Sequence, residues 1–133
     1  LQTPIFGWYL KKIGSISINR NKTTKDNLRF FDQVSLLINK SDRPLIIFPQ
    51  GTRLAPGDRQ PFKKGASRIY DQLKIKCQPV AINSGYIWPK KGSLNSSLKL
   101  TISILNPIDI GMNKDIFLKT LQENIYSELD NLN

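Results

Sequence analysis

Hydrophobic positions along this chain switch repeatedly between helical and strand spacing. Thr3-Pro4 reads as an N-cap and first helical position, opening a helix from Ile5 to Ile13 that Gly14 stops. Ser15 to Ile18 alternates polar and apolar residues, the pattern of a short strand. From Thr24 onward, Leu28, Phe31, Val34 or Ser35, and Leu37 or Ile38 recur at the spacing of an amphipathic helix of about four turns. Pro44 to Phe48 is short, apolar and β-branched, which predicts a buried strand. A long polar loop follows, from Pro49 to Pro61, too irregular for an element and long enough to carry function.

The second half continues the alternation. Gly65 to Leu73 suits a helix, and Cys77 to Ile82 a second buried strand. A loop marked by glycine and proline leads to Leu98–Leu105, where Leu98, Leu100, Ile102 and Ile104 alternate with polar residues. Asn113 can cap a last helix that carries Phe117, Leu118, Leu121, Ile125, Leu129 and Leu132. Strands separated by helices predict an α/β sheet with parallel connections.

Composition narrows the class. A chain of 133 residues supports one domain, or part of one, and 39% hydrophobic residues place it in the globular range. The single cysteine, Cys77, can form no internal disulfide and, in a buried strand, reads as a core thiol. Apolar runs such as Leu45 to Phe48 fall far short of the ~18 residues that span a bilayer. There is no histidine, so no imidazole comes from these residues, and with one cysteine no metal site is expected. The chain begins at Leu1 rather than methionine and reads as a fragment.

Charge is uneven. Residues 1–100 hold 18 basic and 5 acidic side chains, a balance of +13, whereas residues 101–133 carry −3. On charge alone the partner is open: nucleic acid, an anionic membrane, a phosphorylated substrate, an acidic carrier protein, or only solvent.

Candidate chemistry lies where strands end, because open α/β sheets bind ligands outside the carboxyl ends of their strands. The first predicted strand ends at Asn19-Arg20; the second runs into Phe48-Pro49-Gln50-Gly51-Thr52-Arg53. Pro49 ends the ladder for want of an N–H, Gly51 permits a positive φ, and Thr52 offers a hydroxyl. Arg53 supplies a planar fork that matches phosphate oxygens. With Arg20 these residues form a candidate anion cradle, to which Lys63 and Lys64, just before a helix start, are weaker additions. Trp8, Tyr9, Tyr86 and Trp88 suit either a membrane interface or ordinary packing.

These residues carry a resemblance. Phe48-Pro49-Gln50-Gly51-Thr52-Arg53 resembles the Phe-Pro-Glu-Gly-Thr-Arg block of the glycerolipid acyltransferases, the family of the 1-acylglycerol-3-phosphate acyltransferases. Gly14 to Arg20 resembles the preceding Gly-x-x-x-x-Asp/Asn-Arg block, and Phe6 to Leu10 the segment leading into it. Pro61 to Ala66 is similar to the segment after the phosphate block, and Gln78 to Ile82 to the block around Pro-Val.

The resemblance implies a mixed, largely parallel sheet flanked by helices, truncated at its N-terminus, with residues 1–133 as a single partial domain. It implies transfer of a fatty acyl group from acyl-CoA or acyl carrier protein to lysophosphatidate, giving phosphatidate, with no further cofactor. Arg20, Gly51, Thr52 and Arg53 would hold the substrate phosphate, with Gln50, Lys63 and Lys64 as weaker candidates. The implied location is an anionic membrane surface on its cytoplasmic side, without nucleic acid as a partner.

Two departures stand out. The family's His-x-x-x-x-Asp block, whose histidine acts as general base, has no counterpart here, so no catalytic residue is expected within this chain and it should be inactive alone. Gln50 stands where the family has glutamate, keeping the length and losing the charge. The competing reading is a non-catalytic basic module for anionic lipid or nucleic acid.

Overall fold

A computed structural model of the chain describes residues 6–16, 24–41 and 43–132. Two compact units divide it, Leu1–Leu45 and Ile46–Asn133.

In the first unit, helix α1 runs from Phe6 to Lys12 and helix α2 from Thr24 to Asn39. Gly14 takes a φ of +80° after α1, which is the left-handed stop that its glycine predicts. Helix α2 buries Val34, 1% exposed, and half-buries Phe30, Phe31 and Ile38, while Leu36 and Leu37 face solvent. Phe30 and Phe31 meet edge to face with centroids 5.4 Å apart. The expected N-cap at Thr3-Pro4 lies outside the described residues. So does half of the strand expected at Ser15–Ile18, and Ser15 and Ile16 are not in a strand.

The stretch that runs from the last residues of the first unit into the start of the second departs from expectation. Pro44 to Phe48 is not a buried strand: no partner strand flanks it among the described residues, and Ile46 and Phe48 are 76% and 79% exposed. β-branched composition favours a pleated surface only where a neighbour supplies the ladder. Helix α3 then spans Gly65–Leu73, strand β1 Val80–Ile82, the one-turn helix α4 Ser84–Ile87, strand β2 Ile102–Ile104, and helix α5 Lys114–Asn131.

Strands β1 and β2 pair antiparallel, with Val80 opposite Ile104 and Ile82 opposite Ile102. An isolated bridge between Cys77 and Ile108 extends the pairing. The expected largely parallel sheet is therefore not seen among the described residues. Residues 83–101 hold only a single helical turn and an exposed loop, so nothing there packs across the sheet as a parallel crossover must.

Buried Asn83 continues the pairing past the end of β1, its backbone amide donating to the Thr101 carbonyl at 3.3 Å. Its side-chain oxygen accepts from the Thr101 amide at 2.8 Å, and its amide donates to the Lys99 carbonyl at 3.1 Å. The alternation over Leu98, Leu100, Ile102 and Ile104 is real, but that face is open to solvent. It is the opposite face, with Ala81 fully buried, that turns inward, and Ser103 there donates to Glu128 of α5 at 2.6 Å.

The core gathers on α5. Phe117, Leu121 and Tyr126 pack with Phe62, with Tyr70 of α3 and with Ile108. Tyr70 stacks on Phe117 at 3.8 Å and 5°, and Phe62 meets Tyr126 edge to face at 5.1 Å. Asn113 caps α5 as its type predicts, its side-chain oxygen accepting from the amides of Asp115 at 2.9 Å and Ile116 at 3.5 Å. Asp115 in the first turn complements the helix dipole.

These contacts set a scale for loss. Phe117→Ala, at a side chain 1% exposed, is expected to cost about 3–5 kcal/mol. Asn113→Ala should cost about 1 kcal/mol. Urea unfolding checks both, with midpoints shifting in that order and the slope unchanged.

Candidate anion-binding turn

The segment that follows Phe48 is a tight turn at the mouth of a closed loop. Pro49 sets φ at the second turn position, and the Gly51 amide reaches back to the Phe48 carbonyl at 3.0 Å. The amide of Lys63 donates to the Pro49 carbonyl at 2.8 Å, closing the loop ends on each other. Gly51 has a φ of +70°, and a Cβ there would come 3.1 Å from Cγ of Lys63. The conformation calls for glycine, and a Cβ would in addition press on the Lys63 stem.

That close approach brings the stem of Lys63 against the Phe48–Arg53 turn. Thr52 and Arg53 are exposed, as are Lys63 and Lys64. Arg53, Lys63 and Lys64 form no ion pair among the described residues, whereas Arg59, Lys74 and Lys76 each hold an acidic partner. Lys74 holds Asp71 at 2.6 Å, Lys76 holds Asp109 at 2.8 Å, and Arg59 holds Asp130. The Lys74 ammonium depresses the Asp71 carboxyl below its ordinary value, chiefly through the hydrogen bond, and the bond to Asp109 raises Lys76. Arg53, Lys63 and Lys64, at the two ends of the loop this turn closes, thus carry positive charge with no ion-pair partner among the described residues. Arg20 lies outside the described residues, and its expected place beside Arg53 with it.

What fixes the loop is α5, through residues that no motif in the sequence pointed to. Gln122 accepts from the Phe62 amide at 2.8 Å. Tyr126 receives a hydrogen bond from the Gln50 side-chain amide at 3.4 Å and donates its own proton to the Gln60 carbonyl at 2.7 Å. Asp130 holds Arg59, whose guanidinium also lies 5.0 Å from the Tyr126 ring centroid. Residues 122, 126 and 130 stand four apart and so form one stripe of the helix. The only available signal was that spacing of polar side chains beside an apolar face.

The stripe also accounts for Gln50. A tyrosine hydroxyl has one proton, and here it goes to Gln60, so residue 50 must donate. An amide can donate where an ionised carboxylate can only accept. Gln50 is therefore matched to Tyr126, and its half-buried amide serves the loop's support.

Cys77 packs against the core, and burial pushes its thiol up from the usual range. It is a packing residue, and the upward shift disfavours the thiolate that a nucleophile needs.

Gln50→Glu should cost about 0.5–1.5 kcal/mol of stability at neutral pH, and Tyr126→Phe about 1–2 kcal/mol. In the Tyr126→Phe background the Gln50→Glu cost should shrink by at least about 0.5 kcal/mol, because the hydroxyl it opposes is gone. A double-mutant cycle by denaturant unfolding measures this; strict additivity would break the pairing.

Comparison with known proteins places these features. The profile of the Acyltransferase family matches residues 1–83. The chain is similar to the 1-acyl-sn-glycerol-3-phosphate acyltransferase of Streptococcus pneumoniae, with 32% identity over 133 residues, covering 96% of this chain and 46% of that protein. The enzyme of that name from Helicobacter pylori is 30% identical over 131 residues, covering 96% and 54%. That from Saccharomyces cerevisiae is 31% identical over 109 residues, covering 79% and 35%. No solved structure matches the chain. The chain spans about half the length of these relatives, or less. Since the family profile runs through the turn of Gly51 and Arg53 and on past β1, this chain belongs to the acyltransferase family.

Proposed function

We propose that this chain is part of an enzyme that moves a fatty acyl group from acyl-CoA or acyl carrier protein to lysophosphatidate, forming phosphatidate. The observation that carries the reading is the turn itself. Gly51 is held at positive φ against the stem of Lys63, and the exposed Arg53 has no acidic partner among the described residues. The relatives, all 1-acyl-sn-glycerol-3-phosphate acyltransferases by name, support the substrate class.

In this reading Arg53 grips the substrate phosphate through two parallel charge-assisted hydrogen bonds. Gly51 lets the backbone come close, Thr52 adds a hydroxyl, and Lys63 and Lys64 add charge. Arg20, carried over from the resemblance, is the second cation of the proposal. Holding the phosphate fixes where the acceptor hydroxyl can reach. Its oxygen attacks the thioester carbonyl carbon, a C–O bond forms and the C–S bond breaks. The hydroxyl proton passes to a general base and the sulfur leaves as a thiol once protonated. No histidine is present in these 133 residues, so the base of the resembling family would come from sequence outside them. The donor thioester brings the chemical reactivity, and no metal or bound cofactor enters the step.

The enzyme would work at an anionic membrane surface, on the cytoplasmic side, where its lipid acceptor resides. Among the described residues no helix is long and apolar enough to cross a membrane. Attraction of the basic chain to anionic lipid is the proposed mode of association.

Kinetics of the full-length enzyme test the site. Arg53→Ala should lower kcat/KM for lysophosphatidate by an amount equivalent to about 2–4 kcal/mol. Arg53→Lys should recover only part, since an ammonium cannot reproduce the fork. Unchanged kcat/KM in the alanine variant would remove Arg53 from the site. The 133-residue chain alone should show no acyl transfer above background; turnover from it would place the base within these residues instead.

A further inference from the structure

The loop between β1 and β2 combines features that neither the anion-binding turn nor the core uses. Residues 84–101 contain Lys90, Lys91 and Lys99 and no acidic side chain. All three lysines are exposed and form no ion pair among the described residues. Beside them Trp88 is 71% and Leu94 62% exposed, and Leu98 and Leu100 are exposed as well. Large apolar side chains interleaved with lysines, on one loop without a counter-charge, are costly in water unless something covers them.

The loop is also pre-ordered. Buried Asn83 anchors its base to Lys99 and Thr101. The Trp88 amide donates to the Ser84 carbonyl and the Asn95 amide to the Ile87 carbonyl, each at 2.8 Å, which pinches off a tip at residues 88–94. Gly92, at φ +111°, turns that tip close to Pro89. A tip already closed loses little conformational entropy when it docks.

We propose that the Trp88–Leu100 loop is the face by which this unit meets an anionic lipid bilayer. Trp88 and Leu94 enter the headgroup boundary, and Lys90, Lys91 and Lys99 sit over the anionic headgroups. Charge complementarity selects the occupant: three lysines and no acid fit a negative surface. The neighbours of those lysines argue for lipid over nucleic acid. Leucines have no stacking partner in a base, and single-stranded nucleic acid is bound by aromatics in series. The acidic residues of the unit lie elsewhere, at Asp58, Asp71 and Asp109 and along α5. This inference specifies the membrane association in the proposed function and rests on that part of it alone.

The test uses the full-length protein with vesicles of phosphatidylcholine and phosphatidylglycerol. Positions 8 and 88 are the two tryptophans of this chain, so Trp8→Phe leaves Trp88 as its reporter, and further tryptophans in the full-length protein would be replaced likewise. On anionic vesicles the Trp88 emission should shift to the blue and be quenched by lipids brominated near the headgroup. Lys90→Gln, Lys91→Gln and Lys99→Gln should each weaken binding about fivefold, and all three together about a hundredfold at low salt. Lys114→Gln with Lys119→Gln, on α5, should leave binding within about twofold.

An unshifted Trp88 spectrum on bound protein would overturn the loop as the contact while leaving membrane association standing. Equal weakening by the α5 pair would do the same, assigning the attraction to net charge. Failure to bind any vesicle would overturn both, while the kinetics of Arg53 variants judge acyl transfer separately. A single-stranded oligonucleotide that competes with vesicles at equal salt, and depends on these three lysines, would replace lipid with nucleic acid as the occupant.

Discussion

The second unit depends on one seating: the burial of Phe117, Leu121 and Tyr126 of α5 against Phe62, Tyr70 and Ile108. Each partner comes from a different part of the chain. Phe62 ends the long loop, Tyr70 belongs to α3, and Ile108 follows β2. The Tyr70–Phe117 stack and the Phe62–Tyr126 edge contact each add a geometric preference to the area they bury. The Tyr70 hydroxyl extends the order outward, donating to the Asp109 carbonyl and accepting from the Met112 amide at 3.1 Å. Apolar burial supplies the driving force, and these few polar bonds set the register.

The same helix carries the support of the anion-binding turn. Residues 50–62 have a polar sequence that cannot build a core of its own, and they borrow order from the Gln122, Tyr126 and Asp130 stripe. The Arg59–Asp130 pair is exposed and worth little by charge alone. Its use is geometric, for it lays the guanidinium over the Tyr126 ring. With Arg59 so engaged, Arg53 and Lys63 are left as the cations open to a ligand at the turn. Such a division suits anion binding: cations tied to acids hold the frame, and cations without acids face solvent. A loop kept in place beforehand spares a ligand the cost of ordering it.

Legibility from the residues varied with the kind of signal. The bounds of α3 and the start of α2 followed directly from periodicity, and Asn113 capped α5 as its chemistry requires. Cys77 proved to be a packing thiol. Pro44–Phe48 did not pair as a strand among the described residues, because composition reports what fits a sheet and not whether a neighbour is present. The alternation from Leu98 to Ile104 correctly marked two faces, yet its apolar face is the one left in solvent. Period two tells faces apart; only packing against α5 decides that Ala81 and Ser103 turn inward.

By itself the amino-acid sequence determined helices α1, α2, α3 and α5, the Asn113 cap and the turn chemistry of Pro49 and Gly51. It also set the absence of an imidazole, the basic excess, and an ordered set of blocks sufficient to name the family. These are local or compositional properties, set by spacing, backbone freedom and side-chain type. Tertiary structure alone decided the antiparallel return of β2 and the approach of Lys63 to Gly51. It alone joined Gln50 to Tyr126, residues 76 positions apart. The reason is that one tyrosine proton can serve one acceptor, so the meaning of Gln50 depends on a partner that no local pattern brings near.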